Sequence, residues 1–585
     1  MSGELRLPFS ARVSRASDLA AISVVFERAR SEEWATRLAD KDVTLWSRDA
    51  EVQAKIANRL GWLDAPAHFT EQVPALEAFG EKVRDAGFTT AIVAGMGGSS
   101  LAPEVLATAF ASISEWLKIR VCDSTDPEAV AAALAGLNPA KTLVIVASKS
   151  GTTTETLSFA AYAAGWISSA LSAGEDPFAS MIAISDPSPS IDGIPGSERM
   201  LERFLNPADI GGRYSALSFV GLVPASLLGI DLDSLLAAGA VAAAQLREPE
   251  PTANRAVALG VIIGALAREG RDKLTLLVDE PLHGFGAWAE QLVAESTGKQ
   301  GVGVVPVDLE PLGALESYQD DRLFVRIALN GGRAPRAADG TSADTRLNEL
   351  AAAGHPVISY TLSDAIDLGG EFLHWEAATA IAGVVLGINP FDEPNVTESK
   401  QNTTAVLGEL AATGALPELT PKCADGPLQL WVDGALPAAF ADDAVKLVAG
   451  QLQRLAQRGY IGIHAYVATT PDRTAALTSL RLLLRDGTHR ATTVGYGPRF
   501  LHSTGQLHKG GAPIGWFIQL VAGRPHDLEI PGSNFTFGQL VDAQALGDAR
   551  SLVAHDLPIL RIHLGSNPDA GLGAVESLFR RALSA

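Results

Sequence analysis

Cysteine is nearly absent from this chain of 585 residues, with only Cys122 and Cys423 present. Two thiols cannot build a disulfide framework or a multi-cysteine metal site, and such sparing use fits a reducing compartment. Both read as small buried hydrophobes. Positive charge is scarce too: 46 Lys and Arg stand against 67 Asp and Glu, a formal net charge of -21. Nucleic acid or an anionic membrane surface usually demands the opposite surplus, so neither is expected as a partner. A phosphate is not excluded, because backbone N–H groups at a helix start attract an anion locally whatever the total charge. Met1 to Val13 carries no apolar signal core, and the longest apolar-leaning run, Tyr214 to Ile230, is broken by serines, glycine and Pro224. No export, no membrane span and a cytoplasmic location are expected. Short internal repeats, His/Asp/Glu clusters at zinc spacing and the Gly-Lys-Ser/Thr ending of a nucleotide loop are all missing.

What the chain has is a large apolar complement, 47% against 19% charged residues, the composition of an ordinary globular protein. Its length calls for two to four cores rather than one. Helical periodicity with many charges over Ala16 to Leu63 reads as a helical arm, assigned to 1–75. From about Thr89, short β-branched runs alternate with Ala- and Leu-rich helical segments: Thr89 to Ala94, Ile119 to Cys122, Thr142 to Ala147 and Met181 to Ile184. Such alternation predicts a parallel sheet covered by helices on both faces, over 76–250. A second set follows over 251–416, with strands at Leu274 to Val278, Gly303 to Val307, Leu323 to Ala328 and Val357 to Thr361. The prolines of Pro417 to Pro427 read as a linker, and 428–585 as a third α/β unit. The fold class is therefore α/β, two tandem doubly wound parallel sheets plus an additional C-terminal α/β unit.

Two loops at strand ends carry an anion-binding composition. Gly95-Met96-Gly97-Gly98-Ser99-Ser100 leaves the first buried strand and enters a helical run, Ala102 to Phe110, with Pro103 in its first turn; the glycines admit close backbone approach and the serines add donors. It lacks the final glycine of a dinucleotide fingerprint. Ser148-Lys149-Ser150-Gly151-Thr152-Thr153-Thr154-Glu155-Thr156 follows Thr142 to Ala147, and its hydroxyls are too dense for simple helix capping, which would use one of them. Neutral donors at two strand ends of one sheet suit a monophosphate. Further on, a helix from near Gly284 buries a stripe at Phe285, Trp288, Ala289, Leu292 and Val293. Gln291 and Glu295 lie four apart on one edge of that stripe. With Thr297-Gly298 as the C-cap, Glu295 falls in the last turn, where a carboxylate opposes the helix dipole, a placement that points to function. Ile210-Gly211-Gly212-Arg213-Tyr214-Ser215 sets one Arg beside two glycines, able to stabilise an oxyanion or to form a surface ion pair.

Gly95 to Ser99, Ser148 to Thr156, Gly211 to Ser215, Glu295-Ser296-Thr297-Gly298-Lys299, and Asn389-Pro390-Phe391-Asp392 leading to Lys400 together resemble the glucose-6-phosphate isomerase family, in the same order. The resemblance implies two sugar-isomerase (SIS) domains and interconversion of glucose 6-phosphate with fructose 6-phosphate, without metal or cofactor. It implies Ser148, Ser150 and Thr153 on the phosphate, and Gly98, Ser99 and Gln291 near the sugar. Arg213 would face the enediolate, Glu295 would be the base and Lys400 would assist ring opening. A homodimer and a small-molecule sugar phosphate are the implied partners. Activity on mannose 6-phosphate as well, or a non-catalytic SIS regulator, are the alternatives. Glu393 and Thr397 stand where the family has glutamine and glutamate. The ring-opening histidine has no counterpart between Glu295 and Lys400, where only His355 and His374 occur. The nearest lies in Phe500-Leu501-His502-Ser503-Thr504-Gly505-Gln506-Leu507-His508-Lys509, a stretch similar to the isomerase half of bifunctional transaldolase/glucose-6-phosphate isomerases. His508 is expected as the ring-opening acid, with His502 or a structural role for both left open. The third unit would then deliver the imidazole in cis.

Overall fold

A computed structural model describes residues 6–110, 113, 115–417, 419–433 and 443–585. Met1 to Leu5 and Glu418, within the N-terminal and linker readings, lie outside them. Three sheets organise the chain. The first is all parallel, in the order Lys118–Cys122, Thr90–Ala94, Thr142–Ala147, Met181–Ser185, Glu202–Leu205. Its central strands are buried along their whole length, as expected where helices cover both faces. The chain runs outward from Thr90–Ala94 to one side and then resumes on the other with Thr142–Ala147. The strand order therefore reverses between these two, and their carboxyl ends open the crevice where ligands bind in such sheets. Both hydroxyl loops leave from there.

The second sheet places Val357–Leu362, Arg322–Leu329, Lys273–Val278 and Val305–Val307 in parallel. Ser10–Arg12 adds an antiparallel edge to Val357–Leu362, a strand the sequence pattern did not reveal. One continuous core joins the helical arm to both sheets and includes Trp34, Trp62, Trp288 and Trp375. The third sheet runs Cys423–Asp425, Leu428–Val432, Ile559–His563, Gly515–Val521, Tyr460–Tyr466, Ala491–Tyr496, the last four parallel. Cys423–Asp425 corrects the linker reading of Pro417 to Pro427: Gly426 at φ +57° turns the chain, so that the strand pairs antiparallel with Leu428–Val432. Two boundaries near the crevice also shift. The helix after the first glycine loop is Gly98–Ala109, which takes Ser99 and Ser100 into its first turn and leaves Pro103 inside the helix. Lys400 sits within helix Pro394–Thr413 instead of before a helix. Among the described residues no helix is long and apolar enough to cross a membrane.

Candidate active site

A cavity of about 420 Å³ occupies the crevice. It is lined by Gly98, Ser99, Ser148, Ser150, Thr153, Arg213, Gln291, Glu295 and Lys400, nine of the ten residues singled out from the sequence. The tenth, His508, is absent from the lining, and His502 is present.

The floor is built by close backbone approach. A Cβ on Gly98 would lie 1.9 Å from Gly212 O, and one on Gly97, at φ +56°, would lie 2.6 Å from His502 O. Only glycine lets the first sheet's loop meet both the Arg213 segment and the His502 segment. On the adjoining loop Ser148 and Thr153 hydroxyls lie 2.9 Å apart, as do those of Ser150 and Thr152. Thr153 holds the N-cap position of helix Thr154–Ser168 without capping it through its side chain. Of the paired Ser148 and Thr153 hydroxyls only one donates to the other, so one hydroxyl hydrogen and the helix start remain for the cavity, a ready anion cradle.

Opposite the cradle lies a buried ion cluster. Arg213, on the short turn Gly212–Tyr214, is 4% exposed. Its Nη1 donates to Glu295 Oε1 at 3.0 Å and to Glu393 Oε2 at 2.9 Å. Nε donates to Ser296 Oγ at 2.8 Å, and Nη2 to the carbonyls of Pro390 and Asp392. Five bonds fix the guanidinium plane. Glu295 is in the last turn of helix Gly284–Thr297 and buried at 7% exposure. Burial raises its carboxyl above the usual range against the pull of Arg213, with the charge of Glu393 adding to the rise. Burial would raise Glu393 as well, but Arg213 outweighs it and holds that carboxyl below the ordinary value. The two carboxylates on one arginine are thus driven apart, which leaves Glu295 as the proton-accepting member. Gln291 Nε2 donates to Glu295 Oε2 at 2.9 Å and to His502 O at 2.8 Å, tying that carboxylate to the histidine segment.

His502 comes from the third unit, on the turn Arg499–His502. Its Nε2 bonds Glu155 Oε1 at 2.9 Å, and Gln544 Nε2 donates to the same oxygen at 2.7 Å. Burial would push Glu155 up, but the His502 imidazole and, further off, Lys400 hold it below its usual value. A carboxylate so placed fixes the ring's orientation and tautomer.

His508 requires a correction. It lies on helix Gly505–Gly510, 3% exposed, its Nδ1 bonded to Tyr460 Oη at 2.8 Å and its Nε2 to Thr504 Oγ1 at 2.9 Å. Rings of Tyr460, His464, Phe500 and Phe517 surround it. Burial drives its pKa well below the usual histidine value. Both nitrogens are occupied and no face reaches the cavity, so it serves the core of the third unit. Beside it Lys509 and Asp548 form a fully buried ion pair at 2.7 Å. Asp548 shares helix Phe537–Ala554 with Gln544, so one helix holds both the segment after His502 and the carboxylate facing His502.

Several residues in or behind the cavity wall escaped the sequence reading. Glu155 fell inside a motif but nothing local announced its partner. Glu393, a departure from the family pattern, proves to be an Arg213 ligand, while its neighbour Val396, and not Thr397, lines the cavity beside Lys400. Arg59, Asp186 and Ser190 reach it from segments without any signal.

The crevice between doubly wound sheets thus carries an anion cradle on one wall and a buried arginine–carboxylate pair on the other. Residues 35–306 match the family model described as phosphoglucose isomerase. That match spans just under half of the chain, and the similar proteins carry the name glucose-6-phosphate isomerase. The chain is 33% identical over 238 residues to the glucose-6-phosphate isomerase of Symbiobacterium thermophilum, covering 35% of this chain and 53% of the relative. With that protein, as with relatives from Heliobacterium modesticaldum and Pediococcus pentosaceus, the chain spans about half the relative's length. The glucose-6-phosphate isomerase of Rubrobacter xylanophilus is 27% identical over 381 residues, 58% of this chain and 87% of the relative. The crystal structure of a glucose-6-phosphate isomerase from Chlamydia trachomatis superposes at a TM-score of 0.53 and 20% identity. It covers 68% of this chain and 87% of that one, a likeness of fold.

Proposed function

We propose that the protein interconverts glucose 6-phosphate and fructose 6-phosphate, with its whole site built from one chain. The observation that carries this reading is the single cavity holding the hydroxyl cradle, the Glu295–Arg213 pair and His502. Ser148, Ser150 and Thr153 hold the phosphate. His502, held by Glu155, gives a proton to the ring oxygen as the ring opens, with Lys400 alongside. Glu295 then removes the proton from C2, and the charge that develops on the enediolate oxygens is met by Arg213 in a site that excludes most water. Glu295 returns the proton to C1 while a hydroxyl proton passes from O2 to O1, and as the ketose ring closes His502 recovers its proton from the ring oxygen. No net proton is gained or lost.

The third unit, opening at Cys423–Asp425, supplies the imidazole in cis, and we assign 428–585 to it as a domain, after 1–75, 76–250 and 251–416. Action in the cytoplasm belongs to the same proposal, supported by a sequence with only two cysteines. A coupled assay on purified protein with glucose 6-phosphate and mannose 6-phosphate tests the reaction. Turnover of the first, with the second far slower, is expected; binding of fructose 6-phosphate without turnover of either would overturn it.

A further inference from the structure

Helix Gly284–Thr297 has a second neighbour. Gln291 and Glu295 face the cavity already described, whereas His283, Ala287 and Glu290 line another of about 330 Å³. Its walls come from all three units: Glu104 and Thr108 from helix Gly98–Ala109, Asp308 after strand Val305–Val307, Arg481 from helix Pro471–Thr488, and Arg499, Phe500 and Ser503 from the histidine segment. Its volume is that of a small-molecule site.

Glu104 and Arg499 pair with each other across this space, whereas three other charged residues on its walls have no such partner among the described residues. Arg481 is 3% exposed and donates from Nε to Thr492 O at 2.8 Å. Among the described residues it forms no ion pair; the carboxylate that acts on it most, Glu310, is already bonded to Arg322 and Arg485. Glu290 and Asp308 form no ion pair with a described residue either. Burial pushes Glu290 up to about 8, with Asp308 adding to the rise, and pushes Asp308 up to about 7. Arg481 draws both down by its charge without touching either. Asp308 is seated against Gly286, where a Cβ would lie 2.0 Å from its Oδ1. One wall of the cavity therefore lacks an anion and another lacks a cation, and the gap keeps them from satisfying each other. Near neutral pH the two carboxyls largely hold their protons, and a cation seated between them would draw them into the charged form. Among the described residues no group of three or more His, Cys, Asp or Glu is placed to hold a metal ion, so the missing cation is better supplied by a nitrogen.

We propose that this cavity binds a small zwitterion, its ammonium group between Glu290 and Asp308 and its anionic group at Arg481. The hydroxyls of Thr108, Thr478 and Ser503 address the remainder of the molecule. A free amino acid and an amino-sugar phosphate share that chemistry. Occupancy is communicated to catalysis, because segment 499–503 is the partition: Arg499, Phe500 and Ser503 face this cavity, and His502 faces the other. The cavity lies outside the substrate site and its proposal does not depend on which sugar phosphate is isomerised.

The test is calorimetric titration of the full chain with each of the twenty free L-amino acids and with glucosamine 6-phosphate. Saturable binding of at least one, at one molecule per chain, is expected. Amine-only and anion-only analogues of the bound probe should bind at least about tenfold more weakly. Arg481→Leu and the pair Glu290→Gln with Asp308→Asn should each lower affinity by a similar factor, while Ser150→Ala with Thr153→Ala leaves it unchanged. That last control separates the two cavities for the phosphorylated probe. A change in turnover of the bound enzyme, absent in Arg481→Leu, would establish the coupling. Failure of every zwitterion to bind, equal binding of the single-charge analogues, or binding lost only in the serine–threonine variant would overturn the proposal. The analogue series uses the unaltered protein, so it decides even where a variant fails to fold.

Discussion

The loops of the first sheet and the histidine segment of the third build the same cavity by different means. Gly95 to Ser100 and Ser148 to Thr156 leave strands whose order reverses between them, so their backbone donors reach the crevice through topology alone. His502 has no such guarantee. It is placed by Glu155, 347 residues away in sequence, by Gln291 and by the absence of a side chain on Gly97. His508, six residues further on and in the motif with the better family match, is instead taken up by Tyr460 and Thr504. A strand-end motif thus carries its function in its local sequence, whereas a side chain placed by distant partners does not.

The largest effect expected is on the base. Glu295→Gln should lower turnover by about 10²–10⁴-fold, while inhibition by inorganic phosphate stays as it was, since the cradle belongs to other elements. Steady-state kinetics with phosphate as inhibitor checks both halves.

The two histidines sharpen the comparison further. His502→Ala should slow the cyclic sugar by about 10²-fold or more and an open-chain analogue much less. His508→Ala should leave that ratio unchanged and instead cost stability, about 2–4 kcal/mol for the lost bonds and ring volume, read by urea unfolding. Equal losses on both substrates for His502→Ala would make the segment a packing element.

A smaller effect belongs to the cradle. Ser150→Ala together with Thr153→Ala should weaken sugar 6-phosphates and inorganic phosphate alike, each lost bond to the charged group being worth about 1.5–3 kcal/mol. Unchanged phosphate inhibition would put the anion elsewhere in the crevice.

The pH profile should move least. Glu295 accepts a proton only when ionised, and burial raises its carboxyl, so kcat/KM is lost as pH falls through a value above the ordinary 4.5. Glu393→Gln removes a negative neighbour that adds to that rise and should shift the acid limb to lower pH. An acid limb at or below 4.5 in the unaltered protein would contradict the assignment.

Much of this was legible in the sequence where residues act through their own backbone. Thr142–Ala147 is bounded as its β-branched run suggests, and helix Gly284–Thr297 begins and ends at its expected glycines. Edge strands were harder. Ser10–Arg12 has three residues, Glu202–Leu205 carries charges along a partly exposed edge, and Cys423–Asp425 hides among prolines. At the site, hydroxyl density, the Arg213 turn and the dipole-opposed Glu295 showed themselves because each breaks a local rule. Glu155 and Glu393 obey local rules and gain their roles only from Arg213 and His502 across the crevice.

The central claim is that one chain builds the whole site, with the third unit bringing His502 to the Glu295 that lies on the second. Mixing separately purified Glu295→Gln and His502→Ala proteins, after a dissociating and reassociating step, tests it directly. If each site takes both residues from one chain, the mixture should be no more active than the sum of its parts. Restored turnover in the mixture would mean that base and acid can be drawn from different chains, and would contradict the account.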